Sequence, residues 1–387
     1  MLVCDKKENC CGCTACMNVC PQKCITMVTD ELGFLYPEID TQKCVNCNLC
    51  RTTCAFGVVK SLEHTEFPKV YAAKNKNADI HEKSSSGGIF IPVSDRILES
   101  GGIIYGAGYS ADFMVVHKRT VNHAQRDELA GSKYVQSDMN HAFADVETDL
   151  AAGKKVLFTG TACQVHGLLS YLDKKKCGTE NLYTADIVCH GVPSPKLWRD
   201  FLKRIQKMGQ LVRLTFTSKD IENELKGLKC TFKDNKTFLT GFYWTSYGRL
   251  FLKNYILRES CYQCPYTSPY KRYADITLGD FWGLDKSMPE FCDKKGVSLV
   301  MVHTPKGAAL FDGIKDKIEY RQSTVSDCLQ PNLKEPCKMP DDRAAFLERY
   351  YKKGYQRAYN SLYPDGFRTK LKRIKRKITG KMIGSDI

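Results

Sequence analysis

The sequence predicts a small α+β cysteine-rich module followed by a larger α/β domain with a mixed sheet. Eleven of the twenty cysteines fall within residues 1–62, and the other nine are scattered over the rest of the 387-residue chain. Beyond residue 70, apolar runs of strand length alternate with helix-period segments, as in a sheet that is at least partly parallel. The acidic, Pro-containing stretch "SLEHTEFPKV" (61–70) marks the join. The expected division is therefore 1–62, 65–340 and a helical, basic C-terminal tail at 341–387.

Hydrophobic content of 43% and aromatic content of 11% fit a globular protein. No run approaches the roughly 20 apolar residues of a membrane helix, and "MLVCDKKENC" has no apolar core for a signal peptide. A cytoplasmic location is the expectation. In a reducing compartment clustered cysteines are read as metal ligands or buried thiols, not disulfides.

Element by element, "VYAAK" reads as a strand, and "GGIFIPVSDRILESGG" (87–102) as a helix closed by glycines. "IIYGAGY" and "FMVVHKRTV" are strands. "HAFADVETDLAAGK" is a helix, "KVLFTG" a buried strand and "ACQVHGLLSYLDKKK" a helix. "YTADIVCHG" is again a strand, and "SPKLWRDFLKRIQKMG" a helix with Ser194 as N-cap. "VRLTFTS", "LKCTFKDNKTFLTGF" and "DITLGDF" supply further strands, with "DNK" as a hairpin turn.

The cysteine spacing is the strongest signal. Cys10, Cys13, Cys16 and Cys20 follow the C-x2-C-x2-C-x3-C-P run of bacterial two-cluster ferredoxins, and Cys44, Cys47, Cys50 and Cys54 repeat it. Each triplet wraps one face of a cubane while the fourth cysteine reaches the other. One [4Fe–4S] cluster is assigned to Cys10, Cys13, Cys16 and Cys54, the second to Cys44, Cys47, Cys50 and Cys20. "CITMVTDELGFLYPEID" between the halves reads as two short strands and a turn. The second half ends Cys54-Ala55 in place of Cys-Pro, which removes no ligand. Cys4, Cys11 and Cys24 fall outside the spacing and are expected to be spectators.

Four cysteines of the larger domain have unusual contexts: Cys163 in "GTACQ", Cys189 in "VCHGVPSP", and Cys261 and Cys264 in "RESCYQCP". Two follow strand C-termini, where α/β sheets place ligands. Four thiolates would close a third [4Fe–4S] cluster; zinc, or four inert buried thiols, stay open on spacing alone.

"SSSGGIF" (84–90), "GSKYVQS" (131–137), "LFTGTACQVHGL" (157–168), "DIVCHGVPSP" (186–195) and "LRESCYQCPYTSPYKRYADITLGDFWG" (257–283) occur in the order of one family. Over roughly residues 5–285 the sequence resembles the coenzyme F420 hydrogenase/dehydrogenase beta-subunit family, with an N-terminal ferredoxin module. The resemblance implies an α/β flavin-binding domain, FAD, and the third cluster close to it. Beside a flavin, Ser85, Ser86, Gly87 and Gly88 would offer a pyrophosphate the N-terminus of a helix. Lys133, Tyr134 and Gln136 would meet the ring, where a cation raises its potential. An ordinary Ser cap and a plain surface pair are the structural alternatives. His190 is a candidate donor to a cluster sulfur or carbonyl, or a core histidine.

Two features temper the resemblance. Where many members carry "FR-x-K", this chain has "FTSK" (216–219), with Thr217 at the Arg position, and "KGLKC" stands where a "GW" is common. If that segment meets the redox partner, use of the deazaflavin is in question. A G-x-G-x-x-A match at 106–111 is followed by strand-like "DFMVVHKRTV" and not by a helix, so it offers no phosphate site.

The expected function is a flavin-dependent iron–sulfur oxidoreductase. It would pass electrons between a low-potential, ferredoxin-type carrier or redox partner protein and a small organic two-electron substrate, the deazaflavin coenzyme or another. The alternative is a non-catalytic electron-transfer subunit of a larger complex. No carboxylate pair or Ser/His/Asp set suggests hydrolysis, and Asp275 and Asp280 are read as structural or flavin-facing. Residues 367–381 hold eight Lys or Arg and no acid, so a peripheral membrane or acidic partner contact is weighed there against a solvated terminal helix. No nucleic-acid module is recognisable.

Overall fold

The computed structural model describes residues 6–58, 68–220 and 227–364; Cys4 and the basic stretch 367–381 lie outside them. The first segment is a ferredoxin-type module. Its strands β1 (Ile25–Thr29) and β2 (Leu35–Ile39) pair antiparallel. The short helices Ala15–Val19 and Leu49–Thr52 follow the two cysteine loops.

The second segment is an α/β domain on a mixed sheet of eight strands. They are β3 (Lys69–Asn75), β4 (Ile103–Tyr109), β5 (Val115–Thr120), β6 (Val156–Thr161), β7 (Leu182–Ile187), β11 (Ile276–Asp280), β12 (Ser298–Val302) and β13 (Ile318–Ser323). The order is β13-β3-β12-β11-β7-β6-β4-β5. The central run β11-β7-β6-β4 is parallel, and the flanking pairs are antiparallel. Buried runs such as Val156, Leu157 and Phe158, none of them exposed, reflect helices covering both faces of a parallel sheet.

The chain between β7 and β11 adds a second layer. Helix Pro195–Ile205 starts at Ser194, whose hydroxyl caps the Leu197 amide, and leads into an antiparallel meander of β8 (Leu211–Ser218), β9 (Gly227–Phe232) and β10 (Thr237–Gly241). Between them lies an aromatic core of Trp198, Phe216, Phe242 and Tyr247, with ring centroids 5.1–5.3 Å apart. A fully buried ring of this size contributes about 1.5–3 kcal/mol. Helices Arg343–Lys353 and Tyr355–Leu362, in the segment expected as a tail, rest on this layer: Arg343 Nη1 meets Glu259 Oε1 at 2.7 Å and Tyr350 donates to Asp200 at 2.6 Å.

The helix expected over 87–102 begins only at Phe90 and ends at Glu99, and no side chain caps it. Gly87 lies against the sheet instead. Its amide donates to Ser298 Oγ at 2.9 Å and its carbonyl accepts from the Asn75 amide at 2.7 Å. A Cβ there would lie 2.2 Å from the Ala73 carbonyl oxygen. Gly87→Ala is therefore expected to destabilise the fold by about 1–3 kcal/mol, seen as a lower denaturant midpoint.

Candidate metal centres and the cleft beside them

The loops and short helices of the small module bring its eight spaced cysteines into two groups. Burial pushes the Cys16 thiol well up, and the thiols of Cys13, Cys10 and Cys54 beside it add to the shift. The second group lines a cavity of about 220 Å³ walled by Cys20, Cys44, Cys47 and Cys50. Each group contains one cysteine from the other half of the repeat, Cys54 in the first and Cys20 in the second. Cys24, expected as a spectator, lines this second cavity with its sulfur 3.4 Å from Cys20. Burial, then Cys20, pushes its thiol up to about 11.

In the large domain, Cys163 sits in the first turn of helix Ala162–Lys175, directly after β6, and Cys189 two residues after β7. The short helix Glu259–Gln263 carries Cys261 and leads to Cys264. All four line one smaller cavity of about 40 Å³, with Cys11, His190, Arg258, Arg272 and Cys337. Burial raises the Cys189, Cys261 and Cys264 thiols, the last to about 12, with the neighbouring cysteines adding. The Cys189, Cys261 and Cys264 thiols stay protonated until a polycation takes their charge, which fits a thiolate-bound cluster. Arg272 Nε, also in this cavity, is buried with no partner among the described residues, whereas the His190 ring lies against Asn254 and Phe251. Among the described residues no three His, Cys, Asp or Glu side chains converge on one point as around a single ion, and all described cysteines are free thiols.

Cys11 was expected to stand aside and does not. It is 8% exposed and its thiol lies within hydrogen-bond reach of both Cys13 and Cys163. The bond from Cys11 holds the Cys163 thiol down to about 7. Cys337 also went unnoticed in the sequence; its thiol donates to the His190 carbonyl at 2.8 Å. Neither residue belongs to a spacing motif, so only the tertiary fold reveals them.

The two segments are joined tightly at this place. Helix Ala15–Val19 packs on helix Ala162–Lys175, where Gly167 leaves room for Cys13; a Cβ there would lie 2.8 Å from its sulfur. Gln136 donates to the Cys11 carbonyl at 3.0 Å and accepts from Arg258 at 3.0 Å. Ser170 donates to the Thr53 carbonyl at 2.8 Å.

The remaining candidate residues are divided. Ser85 Oγ donates to Thr217 at 3.0 Å and accepts from the Ser132 amide at 3.0 Å, so "SSSGG" and "GSKY" meet beside β8. Ser86 Oγ is buried with no partner among the described residues. Gly88 takes a φ of +81°, a left-handed conformation that favours glycine. The Lys133 ammonium is held by three carbonyls, of Leu129, Ala130 and Gly131, at 2.8–3.1 Å. Tyr134 stacks on Phe242 at 5.0 Å. Gln136 faces the metal centres, not the cleft at the strand ends. Asp275 is structural, accepting from the Thr184 amide and hydroxyl and from Thr304. At the C-terminal ends of β7 and β11, the apolar Ile187 and Trp282 stay 44% and 51% exposed; sequence reasoning did not single them out.

Residues 153–327 match the C-terminal region of the coenzyme F420 hydrogenase/dehydrogenase beta subunit, and residues 9–58 match the 4Fe-4S dicluster domain. The chain thus joins an N-terminal iron–sulfur dicluster domain to a C-terminal region of the coenzyme F420 hydrogenase/dehydrogenase beta-subunit type. A solved chain from the F420-reducing [NiFe] hydrogenase complex of Methanosarcina barkeri, in a xenon-derivatised structure, aligns with 16% identity and a TM-score of 0.48, over 75% of this chain and 96% of that one. No curated protein matches significantly. Among the described residues no helix is long and apolar enough to cross a membrane.

Strand β5 holds a pH-sensitive group. His117 Nδ1 meets Ser137 Oγ at 2.9 Å and Nε2 meets the Thr159 carbonyl at 3.0 Å. That carbonyl requires Nε2–H, leaving Nδ1 to accept from Ser137. Burial holds the ring's pKa down to about 4. The unfolded chain takes up this proton near pH 6.5 and the folded one only near pH 4, so stability falls as pH drops through that window. In denaturant titrations His117→Asn is expected to flatten the slope between pH 6.5 and 4.

Proposed function

We propose that this protein is an iron–sulfur flavoprotein oxidoreductase. In this reading Cys10, Cys13, Cys16 and Cys54 hold one [4Fe–4S] cluster and Cys20, Cys44, Cys47 and Cys50 a second. Cys163, Cys189, Cys261 and Cys264 hold a third. The observation that carries the reading is the joint itself: Cys11 of the small module lies within hydrogen-bond reach both of Cys13 and, in the large domain, of Cys163. A one-electron module has no reason to be seated so closely on a domain that does no redox chemistry. Electrons would be exchanged at the exposed Cys47 side with a low-potential, ferredoxin-type carrier.

Bound FAD would supply the conversion between one- and two-electron chemistry that a small organic substrate needs. The orphaned Ser86 hydroxyl and the Ser85–Thr217 pair favour its polar end near "SSSGG". Ile187 and Trp282 offer apolar walls at the strand ends, where α/β sheets bind their ligands. Gly87, Lys133 and Tyr134 serve this site by shaping it, since their polar groups and rings are engaged within the protein, while Gln136 belongs to the joint with the small module.

Anaerobically purified protein is expected to contain about twelve Fe per chain, three four-iron clusters, together with FAD. Cys261→Ser should remove about four Fe and leave the signals of the small module. About eight Fe without flavin in the unmodified protein would overturn the third cluster and the flavin together. Dye reduction only when a second protein is added would make the chain a relay component.

A further inference from the structure

Arg258 is fully buried, at 0% exposure, and among the described residues it forms no ion pair with a carboxylate. Its neighbour Glu259 is already taken by Arg343. The guanidinium donates from Nε to the Cys10 carbonyl at 2.7 Å, from Nη1 to Gln136 at 3.0 Å, and from Nη2 to the Leu35 carbonyl at 2.8 Å and Cys10 Sγ at 3.5 Å. The ring of Tyr36 lies 4.1 Å from its carbon. Its backbone is tied to the other centre: the Cys261 amide donates to the Arg258 carbonyl at 2.9 Å. A buried guanidinium without a counter-charge costs several kcal/mol, so the fold must provide an anion there. The nearest candidate is the thiolate set to which Cys10 belongs.

We propose that Arg258 is a positioning residue that sets the direction of electron flow. It holds the cluster of Cys10, Cys13, Cys16 and Cys54 at a higher potential than that of Cys20, Cys44, Cys47 and Cys50. This rests on the assignment of clusters to those two cysteine sets. Reduction adds a negative charge, which burial opposes and a cation in contact with a ligand sulfur favours. Among the described residues the outer cavity has only Arg51 as a charged wall residue, and that side chain is exposed, where water and salt screen it. One electron from the low-potential carrier reduces the outer cluster, which passes it to the inner one with no bond made or broken.

Potentiometric titration of the full chain, followed by electron paramagnetic resonance, tests this. Arg258→Gln with its iron retained should shift one couple of the small module negative by at least tenfold in its reduction equilibrium, about 59 mV for one electron. The other couple should stay in place, and Arg258→Lys should recover most of the shift. Full iron with both couples unmoved, or both moved equally, would overturn the proposal. If Arg258→Gln loses its iron, the unmodified protein decides. Cys44→Ser must then abolish the lower-potential couple of the module, and loss of the higher one refutes the proposal. Unmodified protein that takes up no iron at all would instead remove the cluster assignment, and this inference with it.

Discussion

The contact between the Arg258 guanidinium and the first cysteine loop organises the rest of this molecule. A charged group at zero exposure must be surrounded by acceptors, and here they come from Cys10, Leu35 and Gln136. Gly12 allows the approach, since a Cβ there would lie 2.9 Å from Nη1. The small module is thereby fixed to the large domain by directional bonds in a dry interface, where they are strong and costly to leave unmade. The large-domain thiols are placed from the same anchor. Arg258 sits three residues before Cys261, and Gln136 ends the segment that runs along the cleft.

The sheet explains why the other thiols arrive there. Parallel strands β6 and β7 end at adjacent positions, so Cys163 and Cys189, each two residues past its strand, become neighbours. The Glu259–Gln263 turn then closes over them, held from behind by Arg343 through Glu259 and the Leu257 carbonyl. The C-terminal helices thus support the candidate third centre although they contribute no cysteine of its spacing motif.

Much of this was legible in the sequence wherever local physics decides. Strand β4, the β9–β10 hairpin and the Ser194 cap follow from alternation, turn residues and capping, and all form as expected. Strands β12 and β13 were not anticipated: "VSLVMV" is a short apolar run without alternation, which periodicity alone leaves between strand and helix. The start of helix Phe90–Glu99 was misplaced because tertiary packing draws Gly87 onto the sheet. Cys11 could not have been placed beside Cys163 from spacing, since that contact spans 152 residues of sequence. Lys133 looked like a group facing a ligand; three nearby carbonyls hold it instead. Motif identity marks a segment as important, but which atoms of it face the cleft is settled by packing.

The central claim is that the small module is wired into the large domain through the Cys11–Cys163 joint, and magnetic coupling reports on that most directly. Fully reduced protein should show a broadened electron paramagnetic resonance spectrum from spin–spin interaction between clusters across the joint. Cys261→Ser should collapse it to the simpler pattern of the small module alone. A spectrum that equals the sum of isolated clusters, unchanged in the variant, would contradict the account.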